Sequence, residues 1–339
     1  MGGKLIKQYG FESKRLNKSD YLELVNQIKN VFDNKFSNIK HCEVPYVRSK
    51  ETFGDVDYMV EAMPIDYTKF INDNFKTSFV HKNGMVYSFE IECFQVDLIL
   101  INSECFDFAK TYYSFNDIIG NLVGRFAHKF GCSLGHAGLF YTLREDLFTG
   151  DYNHQGNQLE QVLLTRDPRT AWEFLGTNYD KVLEGFNTIE EAFQFVLDGE
   201  FFDPDIFSYE NLNHINRTRN KKRENYQKFV DLLESDKEKY RKFTFSKIKM
   251  DYFSYITANF PNLINDIEVI KIDYFKKKEN SKKFNGKLVQ EWTGLEAGQE
   301  LGKVIMAFKK SFSDFNEAVD INDSATIKKL FLKFYIDFL

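Results

Sequence analysis

The sequence predicts an α+β protein, with a helix-backed mixed β-sheet followed by a mainly α-helical C-terminal half. Three observations predict it. The segment Gly54-Asp55-Val56-Asp57-Tyr58-Met59-Val60 enters an apolar stretch at strand-like spacing. Asn83-Gly84 stands between residues 77–81 and the β-rich run 85–101, a strong hairpin signal. Beyond Asp203 the apolar positions recur mostly at helical spacing to the end of the chain.

The elements follow in order. Ser19 caps an expected amphipathic helix whose apolar positions are Leu22, Val25, Ile28, Val31 and Phe32. The strand at Asp55 comes next, then a helix over 67–75 and the hairpin that ends at Ile101. Residues 102–150 read as mainly helical, including 116–130, with a short loop at 131–138. Residues 151–200 hold two expected helices, the second over 188–197. Breaks fall at 150–156, 202–204 and 276–286. The expected domains are 1–110, 111–202 and 203–339, and the last boundary falls at the 202–204 break.

The chemistry concentrates in three aspartates. Residues i and i+2 of a strand share a face, so Asp55 and Asp57 aim at one point. Like charges repel unless a cation lies between them. Mg²⁺, which takes hard oxygen ligands, is such a cation. The same pattern also suits a polar strand end or a turn. Asp97 lies in Gln95-Val96-Asp97-Leu98-Ile99-Leu100-Ile101, where an isolated carboxylate is costly unless compensated. It either reaches solvent at a strand end or joins the first two aspartates. The second arrangement is a two-metal site for in-line phosphoryl transfer.

The segment resembles the palm of the DNA polymerase β-like nucleotidyltransferase superfamily, family X polymerases in particular. Arg48, Lys50, Thr52, Gly54, Asp55 and Asp57, then Asp97, match its motif. Downstream, Tyr112-Tyr113-Ser114, the helical pattern 116–130, Gly131 to Phe140, and Thr165 to Gly176 match the later palm and thumb in order. The likeness covers about residues 40–180. It implies a palm at 1–110 and a thumb-like domain at 111–202, with Asp55, Asp57 and Asp97 as catalytic metal ligands. Two Mg²⁺ ions are implied, with Mn²⁺ able to substitute. Arg48, Ser49, Lys50 and Gly54 would bind the nucleotide, and Tyr112 and Tyr113 would lie on its sugar. Two aromatics capping a helix on the core would look the same. The superfamily's Gly-Ser turn, which holds the triphosphate, is replaced here by Val44-Pro45, which lacks a hydroxyl and one amide donor.

The chain has 339 residues and net charge −5, with 43% hydrophobic and 17% aromatic residues. That composition supports large cores and a soluble cytoplasmic enzyme, with no membrane-spanning run. The four cysteines (Cys42, Cys93, Cys105, Cys132) lack zinc or disulfide-framework spacing. Charge is uneven: residues 1–200 carry about −9 and residues 201–339 about +4. Arg217, Arg219, Lys221, Lys222 and Arg223 form the densest basic cluster. Others run from Lys237 to Lys249 and from Lys276 to Lys287. Such clusters suit a nucleic-acid groove or a solvated helix face.

Residues 284–305 resemble a helical segment of CCA-adding enzymes and bacterial poly(A) polymerases, with Gly294, Gly298 and Gly302 at helix ends. A structural helical hairpin would read the same way. The expected activity is Mg²⁺-dependent transfer of a nucleoside monophosphate from an NTP or dNTP to the 3′-hydroxyl of DNA or RNA. The alternatives are a tRNA or RNA 3′-terminal nucleotidyltransferase, a small-molecule or protein nucleotidyltransferase, and a non-catalytic binding protein.

Overall fold

The computed structural model describes residues 3–36, 38–115, 118–152, 156–235 and 237–339. In chain order the first elements are α1 (Lys4–Gln8), β1 (Leu16–Asn17), α2 (Lys18–Lys35), β2 (His41–Glu43), β3 (Thr52–Phe53) and β4 (Asp55–Glu61). Then come α3 (Tyr67–Asn74), β5 (Val80–Asn83), β6 (Val86–Ile91) and β7 (Phe94–Ile101). Five strands form one mixed sheet in the order β2-β4-β7-β6-β5, with β4 and β7 parallel and the other pairs antiparallel. A parallel pair needs a crossover, and α3 lies within it.

Alternation gives this sheet two unlike faces. Val56, Tyr58, Val60, Tyr87, Phe89, Val96, Leu98 and Leu100 point into a core shared with α2 and α3. The other face carries Asp55, Asp57, Gln95, Asp97, Ser88 and Glu90 at one end. At its other end Met59, Ile99 and Ile101 pack with Phe106 and Ala109 of α4 (Phe106–Tyr113). Half of that face is buried against α4, and from its polar half Asp55 and Asp57 line a cleft while Ser88, Glu90 and Gln95 stay buried.

Two expectations are corrected here. The cap of α2 is Asn17, whose side chain accepts from the Asp20 amide, and its inward stripe is Tyr21, Leu24, Val25, Ile28 and Phe32. Leu22 is exposed. The run 85–101 is two strands, because a tight turn at Glu92-Cys93 reverses the chain with both residues at positive φ. The Glu90 carboxylate accepts from the Cys93 amide at 3.0 Å and so fixes that turn.

Further on lie α5 (Ile119–Lys129), β8 (Cys132–Gly135), β9 (Gly138–Arg144), α6 (Asp146–Thr149) and β10 (Gln158–Thr165). The helical pattern expected from Asn116 begins outside the described residues, and α5 covers most of the rest. The loop expected at 131–138 is instead part of a three-stranded antiparallel sheet in the order β10-β9-β8. Alternating Leu139, Tyr141 and Leu143 supply its buried face.

The chain continues through α7 (Pro168–Phe174), α8 (Tyr179–Glu184), α9 (Ile189–Leu197), α10 (His214–Asn220), α11 (Glu224–Glu234) and α12 (Phe253–Asn259). Helix α9 forms where expected, capped by Thr188.

The chain divides into two compact units, Met1–Phe260 and Pro261–Leu339, and residues 203–260 belong to the first. The second holds α13 (Asn262–Lys283), α14 (Gly286–Thr293), α15 (Gln299–Lys310), α16 (Phe315–Ile321) and α17 (Ser324–Phe338). Its own core includes Phe284, Val289, Phe308, Ile327 and Phe331. Gly294 ends α14 at φ 74, a conformation that favours glycine. The C-terminal half is therefore helical, as the periodicity predicts.

Candidate active site

A cleft of about 790 Å³ opens in the first unit. Its lining joins residues that the sequence scatters over about two hundred positions: Lys50, Asp55, Asp57, Tyr112, Arg144 and Lys249 among them. Strand β4 supplies Asp55 and Asp57 from one face, and the parallel register sets Asp57 beside Asp97 and Asp55 beside Gln95.

Burial raises the Asp55 pKa above the usual carboxylate range, while the charges of Lys50 and Arg15 pull it back. Burial also raises Asp97, and the charge of Asp55 adds to that. Hydrogen bonds from Ser88 and Gln95 act in the opposite direction. Gln95 Nε2 donates to both Asp97 oxygens, at 3.1 and 2.9 Å, while Gln95 Oε1 accepts from the Leu5 amide at 3.1 Å. The first helix thus sets the Gln95 amide, and the amide holds Asp97. Among the described residues, no three His, Cys, Asp or Glu side chains converge closely enough to enclose a metal ion.

Lys50 lines the cleft with its ammonium 4.6 Å from the Phe53 ring centroid. Burial lowers its pKa, and Asp55 and Asp57 oppose that. Tyr112 and Tyr113 also line the cleft, with ring centroids 5.3 Å apart, and Tyr113 stacks on His136. Burial, then Tyr112 and Asp57, pushes the Tyr113 hydroxyl up to about 12. Gly120 allows α5 to approach, because a Cβ there would lie 2.6 Å from the Tyr112 carbonyl oxygen.

Other expected nucleotide contacts are engaged elsewhere. Arg48 Nη1 donates to Asn187 Oδ1 at 2.9 Å and its Nη2 donates to the Glu184 carbonyl. The Ser49 amide donates to the Asn187 carbonyl at 2.8 Å. At Val44-Pro45 the Val44 amide is taken by the Asp57 carbonyl and the Pro45 carbonyl by the Phe115 amide. No donor is left there for a phosphate. Replacing Arg48 with alanine is therefore expected to lower the melting temperature, which thermal melts check.

The basic cluster divides as well. Arg219 and Arg223 line the cleft. Arg217 instead donates to the carbonyls of Tyr209, Glu210 and Leu212. Lys221 lies over the Tyr209 ring, and Lys222 is exposed. In the later clusters, Lys237 and Arg241 pair with Asp203, Asp205 and Glu238, and Lys276 and Lys277 pair with Asp320 and Asp273.

Sequence reasoning missed Arg15, Asn121, Arg125, His128 and Arg144, and it placed Lys249 only in a basic cluster; all six line the cleft. One signal was available: Asn121, Arg125 and His128 repeat at helical spacing as a polar stripe on an otherwise apolar helix.

No helix among the described residues is long and apolar enough to cross a membrane. No family model and no curated protein matches the chain. Among solved structures, the chain is similar to Leishmania infantum polymerase beta, crystallised as a ternary P/T complex, at 15% identity and a TM-score of 0.39. That match covers 50% of this chain and 76% of that one, a likeness too loose to bear on function.

Proposed function

We propose that this protein is a Mg²⁺-dependent nucleotidyltransferase that moves a nucleoside monophosphate from an NTP or dNTP to the 3′-hydroxyl of a nucleic acid. One observation carries the reading. Asp55 and Asp57 leave the same face of a strand into a cleft that also presents Lys50, Arg15 and two tyrosines. The donors are carboxylates without thiol or imidazole, which suits a hard cation. The mutual repulsion of Asp55 and Asp97 is what such a cation would relieve. Asp55 and Asp57 would hold Mg²⁺, which supplies a lowered pKa at the attacking hydroxyl and offsets charge on the phosphoryl oxygens.

The remaining roles belong to the chain itself. Lys50 and Arg15 place positive charge where the leaving pyrophosphate gathers negative charge. Tyr112 and Tyr113 offer ring faces to the sugar or base. Asp97, with its proton affinity raised by burial, is suited to accept the 3′-hydroxyl proton or to complete the cation's ligand set once Gln95 releases it. Replacing Gln95 with leucine removes a bond that favours ionised Asp97, so the Asp97 pKa rises further. The acid limb of the pH–rate profile is expected to move to higher pH. An unmoved limb would separate Gln95 from the chemistry.

Primer extension tests the reading directly. The protein is incubated with Mg²⁺, labelled NTPs or dNTPs, and DNA primers, RNA primers or tRNA lacking its CCA end. Extension of at least one acceptor is expected. Product formed without any acceptor would point to small-molecule transfer, and no product under any combination would overturn the proposal.

A further inference from the structure

One wall of the cleft is built from cations. Arg125 and His128 come from α5, Arg144 from the end of β9, and Lys249 from the turn at Lys249–Tyr252. Arg125 is 6% exposed, and its Nε donates to the Ile206 carbonyl at 3.3 Å. Arg144 donates through Nη1 to the Gly156 carbonyl at 3.0 Å, and its Nε is buried with no hydrogen-bond partner. Among the described residues none of these four forms an ion pair. Gly124 adds room, since a Cβ there would meet nothing within 4 Å.

The charges burden one another. Desolvation within the cleft, then Lys249, Arg125, Lys129 and Arg144, lowers the pKa of His128, whose side chain still reaches solvent. Burial, then Arg144 and Lys129, brings Lys249 down to about 8, while Cys132 and, most weakly, Asp146 oppose the fall. Like charges gathered around a buried Arg125, with Arg144 and Lys249 half-buried and His128 exposed, are unfavourable unless an anion joins them. The internal acceptors here are two backbone carbonyls, and neither carries a full charge.

We propose that this wall is a phosphate-binding subsite, distinct from the carboxylate pair, with Arg144 and Lys249 as its principal contacts. The phosphate belongs either to the backbone of a polynucleotide acceptor or to a free phosphorylated molecule. Arg144 brings to the cleft a guanidinium whose hydrogen-bond acceptor is a neutral carbonyl, and Lys249 brings a rotatable ammonium, a combination that suits a tetrahedral oxyanion. The subsite stands on residues other than those assigned to the metal, so it holds or fails independently of the transferase reading.

Binding is measured on the full chain in EDTA, by calorimetry. The probes are inorganic phosphate, a short oligonucleotide, and the same oligonucleotide with neutral methylphosphonate linkages. Lys249→Gln and Arg144→Gln are each expected to weaken binding by about tenfold or more. Lys249→Arg should retain it, and Asp55→Asn should not weaken it. Losing one of several repelling, half-buried charges should leave the Lys249→Gln melting temperature equal or higher, opposite to a structural role. Affinity is also expected to fall as pH rises through about 8 and Lys249 deprotonates.

Tight oligonucleotide binding lost with methylphosphonates identifies a backbone phosphate. Binding of inorganic phosphate with no gain from the oligonucleotide identifies a free one. No binding by any probe, or unchanged affinity in folded Lys249→Gln and Arg144→Gln, overturns the proposal.

Discussion

Replacing Asp55 or Asp57 with asparagine is expected to lower nucleotide transfer by at least about 10²–10³-fold, the range seen when one preorganised charge-stabilising group is removed. The fold should survive. Asp55 is half-buried at the cleft, and burial raises its pKa. A carboxyl raised in the folded state contributes stability below its unfolded pKa and loses it as pH rises through the folded value. At neutral pH the charged form is therefore a burden, and asparagine relieves it. Asp55→Asn should show a melting temperature equal to or above the parent at pH 7, with that gain vanishing as pH falls below the carboxylate range. Loss of activity with gain of stability is the signature of a functional group rather than a packing one. Full activity in Asp55→Asn would sink the assignment, and lost activity with a lowered melting temperature would reduce it to a folding effect.

Phe130→Ala should be the most damaging apolar truncation near the site, at about 3–5 kcal/mol. Phe130 is 1% exposed at the C-terminal end of α5. Its ring centroid lies 4.9 Å from Phe201, 5.1 Å from Tyr252, 5.3 Å from Phe245 and 5.4 Å from Tyr255. Those rings tie the helix bearing Arg125 and His128 to the segment bearing Lys249. Truncation should lower the denaturant midpoint and, in molecules still folded, weaken phosphate binding without touching Asp55. Chemical denaturation monitored by tyrosine and tryptophan fluorescence measures the first effect. A loss under about 1 kcal/mol would show that the neighbouring rings collapse into the space.

The pair Asp55 and Asp57 was legible because strand alternation is local: two residues apart means one face, wherever the strand lies. Asp97 reached its place beside Asp57 through parallel register, which the apolar run around it made readable. The turn at Glu92-Cys93 was hidden because neither residue is the glycine, asparagine or proline that usually marks a reversal. Its signal was the Glu90 side chain. Strands β8 and β9 were obscured by Gly131, Gly135 and Gly138, although Leu139, Tyr141 and Leu143 carried the period of two. Arg48 shows what a motif leaves unread. The motif suggested a phosphate contact, but the guanidinium is held by Asn187 and a carbonyl over 130 positions away in sequence. The cationic wall was out of reach, since Arg125, Arg144 and Lys249 meet only through tertiary packing and share no sequence pattern.

The Glu92-Cys93 reversal also gives the molecule a chemical handle. Cys93 is exposed, whereas Cys105 and Cys132 are buried and Cys42 is partly so. Burial raises the thiol pKa of Cys42 and Cys132, which keeps both protonated and slow to react. A maleimide dye would therefore attach first at Cys93, two residues from the glutamine that steadies Asp97. A fluorophore there could follow events at the carboxylate end of the cleft without any residue being engineered in.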